Sequence, residues 1–349
     1  MDVSHLPIEL LQQILFYCTS VTDVVHMAAA CHRFHKAFVA SQKLAILHQV
    51  AEAEFGPLED ATQLVTHNDS QPINCHRNVP FSLALLKQII VVGRIATRWE
   101  EIYPVMKWNH NSEDRRVLSN VERWRLRRAI YRIWLYNKAF HSRNFPRSSR
   151  NHPTVVRKRA ELFRGWSLYA LAEIEDVRRI IRDVLQNHVC PSNFTIQREY
   201  HKRFPDNDQP LLFNIHINYP PPSAPSPSQF QQYFHAVHQI TPSNRSHNKY
   251  TAVPHAEIGA EGWGDEIPHY YVVEDMMKLD PSQVLWLRDN APLKGQVERF
   301  VRGLGEWFEN NGETLGETLE WKVEQAGVYL EDFQHELEDE SYGVARDER

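Results

Sequence analysis

Cysteine is scarce: the chain carries four in 349 residues, Cys18, Cys31, Cys75 and Cys190. So few, so scattered, do not make a disulfide framework. Glycine and proline are also few, 13 and 20, below the average usage of about 12% for the pair, which excludes collagen-like and low-complexity classes. The longest apolar stretch, Leu83 to Ala96, is broken by Lys87, Gln88 and Arg94, so no membrane span is expected. Residues Met1 to Leu6 lack the basic flank and apolar run of a secretory signal. No large excess of one charge exists either: 39 basic against 44 acidic residues, net −5, a balance that argues for no polyanion partner. No period of 20 to 50 residues recurs, which excludes solenoids and propellers. What is present is apolar and aromatic material, 42% hydrophobic with 9 Trp, 16 Phe and 13 Tyr, enough to bury a sizeable core. The expectation is a soluble intracellular protein, cytoplasmic or nuclear, with length for about two domains.

Helical periodicity dominates the chain. Pro7 suits a first helical position, and Ile8, Leu11, Ile14, Leu15 and Cys18 follow at helical spacing. Ser20 and Thr22 are both candidate caps for a second helix through Asp23, Val24, Val25 and Met27. A third run passes Phe34, Phe38 and Leu44 towards Leu47 and Val50. Residues 51–80 read as a connector. After Ser82, a candidate cap, Leu86, Ile89, Val92, Ala96, Trp99 and Tyr103 share one helical face. The next helix, Ser119 to His141, is apolar on two faces and belongs inside a bundle. A cleaner stripe runs Ala170, Ile174, Val177, Ile181, Val184, His188 and must end by Cys190, because Pro191 follows. Residues 205–268 are Pro-rich and irregular, with one alternating segment, Phe213 to Tyr219. Val297 to Phe308 forms a further helix that Asn310, Asn311 and Gly312 terminate, and Leu315 to Leu337 reads as one last helix despite Gly316 and Gly327. The predicted fold is mainly α: a three-helix unit at 1–50, a connector at 51–80, a helical domain at 81–340 with a long Pro-rich loop insertion at 205–268, and a frayed tail at 341–349.

Charge is distributed unevenly. Residues 115–164 hold 13 Arg and 2 Lys against Glu122 and Glu161, whereas residues 255–349 hold 8 basic and 23 acidic side chains. Either the two segments neutralise one another by packing, or the basic one is a surface for an acidic ligand. In the second case Arg123, Arg125 and Arg127 are the candidates for acidic-ligand binding, since guanidinium forks pair bidentately with phosphate. Other chemistry finds little support. Cys31, His32 and His35 lack a second ligand pair at zinc-finger spacing, and Cys75-His76 lacks a neighbour. Gly165-Trp166-Ser167-Leu168-Tyr169 misses the second glycine of a nucleophile elbow and falls in a helical run. Gly303-Leu304-Gly305 and the glycines between Gly259 and Gly264 match no phosphate-binding fingerprint. The pairs Asp265-Glu266 and Glu274-Asp275 are better read as solvated faces than as a catalytic dyad. No catalytic residue, cofactor or metal is expected.

The N-terminus carries the specific signal. Leu6-Pro7-Ile8-Glu9-Leu10-Leu11 leads into Ile14-Leu15, then an Asp23-led helix, then Cys31-His32-Arg33-Phe34. This ordered set resembles an F-box over about 45 residues, with Phe34 where tryptophan is usual and no tryptophan near Leu44. The whole arrangement is similar to the large F-box family of filamentous fungi. A unit this short buries little surface by itself, so spare apolar positions are available for a partner's helices. The resemblance implies a substrate-receptor subunit of an SCF-type cullin-RING ubiquitin ligase, not itself an enzyme. The F-box would bind the Skp adaptor and, through it, the cullin, with Leu6, Pro7, Leu10, Ile14, Leu15 and Phe34 at the adaptor interface. The C-terminal domain would hold an unknown protein substrate. Two alternatives remain: an F-box interaction protein outside any ligase, and a nucleic-acid or phospho-ligand module using residues 115–164. Net acidity and the lack of an aromatic recognition signature weigh against nucleic acid.

Overall fold

The computed structural model describes residues 6–40, 42–69, 77, 79–109, 113–203, 205, 269–305, 308 and 312–346. Among them are fifteen α-helices and no strand, so the chain is mainly α. None of these helices is long and apolar enough to cross a membrane. The alternating segment Phe213 to Tyr219 and nearly all of the Pro-rich stretch lie outside the described residues, as do Cys75-His76, Asp265-Glu266, Asn310-Asn311 and residues 347–349.

The chain forms two compact units. The first comprises Met1–Leu135, Arg164–Val177 and Ala326–Arg349, and the second Tyr136–Phe163 and Arg178–Gln325. In the first unit, α1 (Ile8–Phe16), α2 (Val21–Ala30) and α3 (His32–Val39) are followed by α4 (Lys43–Phe55). The third run therefore divides into two helices, bent apart after Val39. Ser20 is the cap of α2: its Oγ accepts from the Thr22 and Asp23 amides. The Glu54 carboxylate of α4 accepts from the Val21 amide at 2.7 Å, tying the start of α2 to α4.

Of the expected connector, the described residues up to Val65 are largely helical. Helix α4 continues to Phe55, and α5 (Leu58–Val65) buries Leu58, Ala61 and Leu64. Both pack on α6 (Leu83–Lys107), which Ser82 caps through the Leu85 amide. The face of α6 expected from the sequence, Leu86 through Tyr103, is buried. Gly93 lets α4 approach α6: a Cβ there would lie 2.3 Å from the Phe55 ring.

Helix α7 (Asn120–Phe140) opens with Ser119, whose Oγ accepts from the Glu122 amide while the Glu122 carboxylate accepts from the Ser119 amide. This reciprocal pair is a capping box. Helices α8 (Pro153–Leu162) and α9 (Leu168–Val184) flank a turn at 163–165. Gly165 sits in that turn and Ser167 caps α9 through the Ala170 amide, so the Gly165 to Tyr169 stretch is a helix start and not helix interior. The α9 stripe is buried from Ala170 to Val184. A π-helical turn at Leu185–Val189 then shifts the register, burying Leu185 and Val189 and leaving the last expected stripe residue, His188, exposed.

Helices α10 (Asn193–Arg203), α11 (His269–Met276), α12 (Pro281–Asn290), α13 (Lys294–Leu304) and α14 (Leu315–Gln325) belong to the second unit. Asp280 caps α12 in a capping box with Gln283. Tyr136 hydrogen-bonds Thr314 and Thr318 at 2.9 and 3.0 Å, joining the end of α7 to α14. The expected single last helix is two, α14 and α15 (Leu330–Glu338). Gly327 takes φ +79° between them, the left-handed conformation that ends helices and that other residues resist.

The expected frayed tail is also corrected. Residues 341–346 turn back at Gly343, φ +103°, and bury Val344 and Ala345 completely within the first unit. The Val344 amide donates to Asp176 at 2.9 Å, Arg346 reaches Glu173 at 3.0 Å, and Trp108 Nε1 donates to Glu340 at 3.1 Å.

Candidate functional site

Helix α1 separates its apolar side chains into two adjacent faces. Leu11 and Leu15, four apart, are 1% and 0% exposed, packed inward where α1 meets α3 and α4. Pro7, Leu10, Ile14 and Tyr17 recur at three- and four-residue spacing on the neighbouring side. Leu10 is 48% and Tyr17 80% exposed, Pro7 is exposed and Ile14 is half-buried. Leu6 is half-buried, and its carbonyl accepts from Arg33 Nη2 at 2.6 Å, which holds the segment before α1 against α3. Phe34 on α3 is half-buried.

Of the six residues assigned to an adaptor interface, five keep surface open to a partner. Leu15 does not: its position in the α1 register turns it into the core, and that assignment is withdrawn. Tyr17 was missed. It lies one turn beyond Ile14 and is exposed, whereas Cys18, the expected continuation of the stripe, is half-buried. Val25, Val39 and Leu44 on α2 to α4 are also exposed.

The Arg-rich segment is largely engaged within the protein. Arg127 is buried between Glu100 and the Ala53 carbonyl. Arg128 pairs with Glu173 at 2.6 Å and lies over the Trp124 ring. Arg132 pairs with Asp60 at 2.7 Å and lies over Trp166. Arg116 grips Glu122 with both terminal nitrogens; although burial opposes it, these bonds and those from Ser119 hold the Glu122 carboxyl below its usual range. Arg125 donates to the Val344 carbonyl at 3.5 Å, and Arg123 sits 3.8 Å from Glu100. Arg123, Arg125 and Arg127 therefore do not converge on an outside ligand. Neutralisation is the operative explanation, but the acids come mainly from Glu100, Glu173 and Asp60 and less from the acidic C-terminal block, whose contribution includes Glu317 on Arg150.

Comparison with protein-family models, curated proteins and solved structures returns no match. The site is therefore carried by its own residues. Among the described residues no three His, Cys, Asp or Glu side chains are grouped to hold a metal ion. Glu274 is paired with Arg182 at 2.8 Å and the buried Asp275 with Lys278 at 2.9 Å, so this pair is not the solvated face expected from the sequence. Gly305, φ +89°, ends α13 and opens no phosphate loop.

Proposed function

We propose that this protein is an F-box substrate receptor: its N-terminal helices dock a Skp-type adaptor, and the rest of the chain presents a protein substrate to the cullin-RING ligase attached to that adaptor. The observation that carries the reading is the divided α1. Of the six residues that the F-box resemblance assigns to a partner, Leu6, Pro7, Leu10, Ile14 and Phe34 keep accessible surface, while the sixth, Leu15, lies with Leu11 on a separate inward face. Scattered exposed apolar residues need no explanation, but a second apolar side on one short helix favours a partner helix. The mechanism would be proximity, raising the effective concentration of substrate at the ubiquitin-charged enzyme.

The test is co-purification with the Skp-type adaptor. Wild type is compared with Leu10→Asp/Ile14→Asp and with Leu6→Ala/Pro7→Ala, each checked for helix content by circular dichroism. Capture by wild type and loss in both folded double variants supports the reading. Absence of capture by wild type overturns it, and capture of the adaptor without cullin moves the protein to a non-ligase role.

A further inference from the structure

The second unit contains a small, half-open cleft lined in part by Phe140, Phe145, Pro146, Arg150, Val155 and Arg159. Arg159, on α8, is only 4% exposed. Its Nη2 donates to the Arg150 carbonyl at 2.8 Å, but its Nε and Nη1 are buried with no acceptor. A guanidinium does not shed its proton inside a protein, so burial leaves a full charge that a single carbonyl does not balance. Apolar walls explain why the stem is inside; they do nothing for the head.

The neighbouring charges have partners of their own, and the Glu313 carboxylate accepts from the Leu315 and Gly316 amides. Arg150 is held by the Glu317 carboxylate at 2.9 Å, and Lys278 by Asp275 at 2.9 Å. Among the described residues Arg159 has no carboxylate within ion-pair distance. A buried unpaired charge is costly, and the arrangement makes sense when an anion from outside completes it. We propose that this cleft binds a small oxyanion of the phosphate class, its oxygens accepting from Arg159 Nε and Nη1. The apolar walls lower the local dielectric and strengthen these charge-assisted bonds. The two N–H donors left on Arg159 match an oxyanion that presents several acceptor oxygens. The same group arrives either as the free ion or on a phosphorylated side chain. This inference does not rest on the adaptor reading, and its test contains no adaptor.

The experiment is thermal unfolding of the full chain titrated with inorganic phosphate, with ionic strength held constant by chloride. A saturable rise of the midpoint is expected, since a ligand of the native state stabilises it by mass action. Acetate should give a smaller rise. Arg159→Gln removes the charge, and Val155→Glu, on the half-buried wall, supplies an anion from within. Both should abolish the phosphate response. If Arg159→Gln fails to fold, Val155→Glu decides. An unchanged phosphate response in either folded variant places the ion elsewhere and overturns the proposal, as does a wild type that responds to neither probe. The second probe is a short phosphoserine peptide against its unphosphorylated form. A shift specific to the phosphorylated peptide, at concentrations where free phosphate is silent, assigns the anion to a side chain; a response to free phosphate alone assigns it to the ion.

Discussion

Tyr103 and Asp176, 73 positions apart, meet through a 2.6 Å hydrogen bond from the phenol to Oδ2. Burial, and then the Asp176 charge, push the Tyr103 phenol well above its usual range, so it remains a donor. The same carboxylate accepts from the Val344 amide and, at 3.0 Å, from Lys107 Nζ. One side chain thus joins α6, α9 and the C-terminal segment of the first unit.

Removing the phenol tests that junction. Tyr103→Phe keeps the ring and leaves a buried carboxylate short of one donor, which costs about 1–3 kcal/mol. Urea unfolding should show a lower midpoint with an unchanged slope. A midpoint equal to wild type would mean the bond contributes nothing.

The two sides of α1 should respond differently to truncation. Leu11→Ala or Leu15→Ala deletes buried volume and should cost about 2–5 kcal/mol. Leu10→Ala and Tyr17→Ala, on the open side, should stay within about 0.5 kcal/mol. Similar losses on both sides would refute the division of the helix.

Gly93→Ala sets two effects against each other. Alanine improves helix propensity by about 1 kcal/mol, but its Cβ meets the Phe55 ring at 2.3 Å. Overpacking of this kind costs about 1–3 kcal/mol, so a net destabilisation is expected in thermal unfolding. A stabilised variant would show that α4 yields freely.

His141 should make stability fall in mild acid. Burial, and then the Lys278 ammonium, lower its pKa from 6.5 to about 3. Between those values the unfolded chain takes a proton that the folded one refuses. The contribution is therefore intact above pH 6.5 and declines as pH falls towards 3, by up to about 1.4 kcal/mol per unit. The difference in unfolding free energy between wild type and His141→Gln, followed from pH 7 to 4, isolates this group from the carboxylates. A difference independent of pH would contradict the neutral buried ring.

Local signals were readable from the sequence. The stripes of α6 and α9 and the caps at Ser20 and Ser82 follow from spacing and side-chain chemistry within one or two turns. Long-range choices were not. Charge counting shows the arginine excess over 115–164 and leaves open whether it meets acids of the chain or a ligand; the acids on Arg127, Arg128 and Arg132 lie 27, 45 and 72 positions away, beyond any pattern. Gly327 was visible as a weak helix residue, yet only the tertiary path makes it a break. On α1 the apolar positions were legible, while the neighbours α3 and α4 decide that Leu15 faces in and Tyr17 out.

The buried C-terminal segment sets the order in which the protein can be finished. During synthesis Tyr103 and Lys107 leave the ribosome far ahead of Val344, and Asp176 joins them with one acceptor position still unfilled. The first unit is complete only once the segment around Val344 has been made and fills that position.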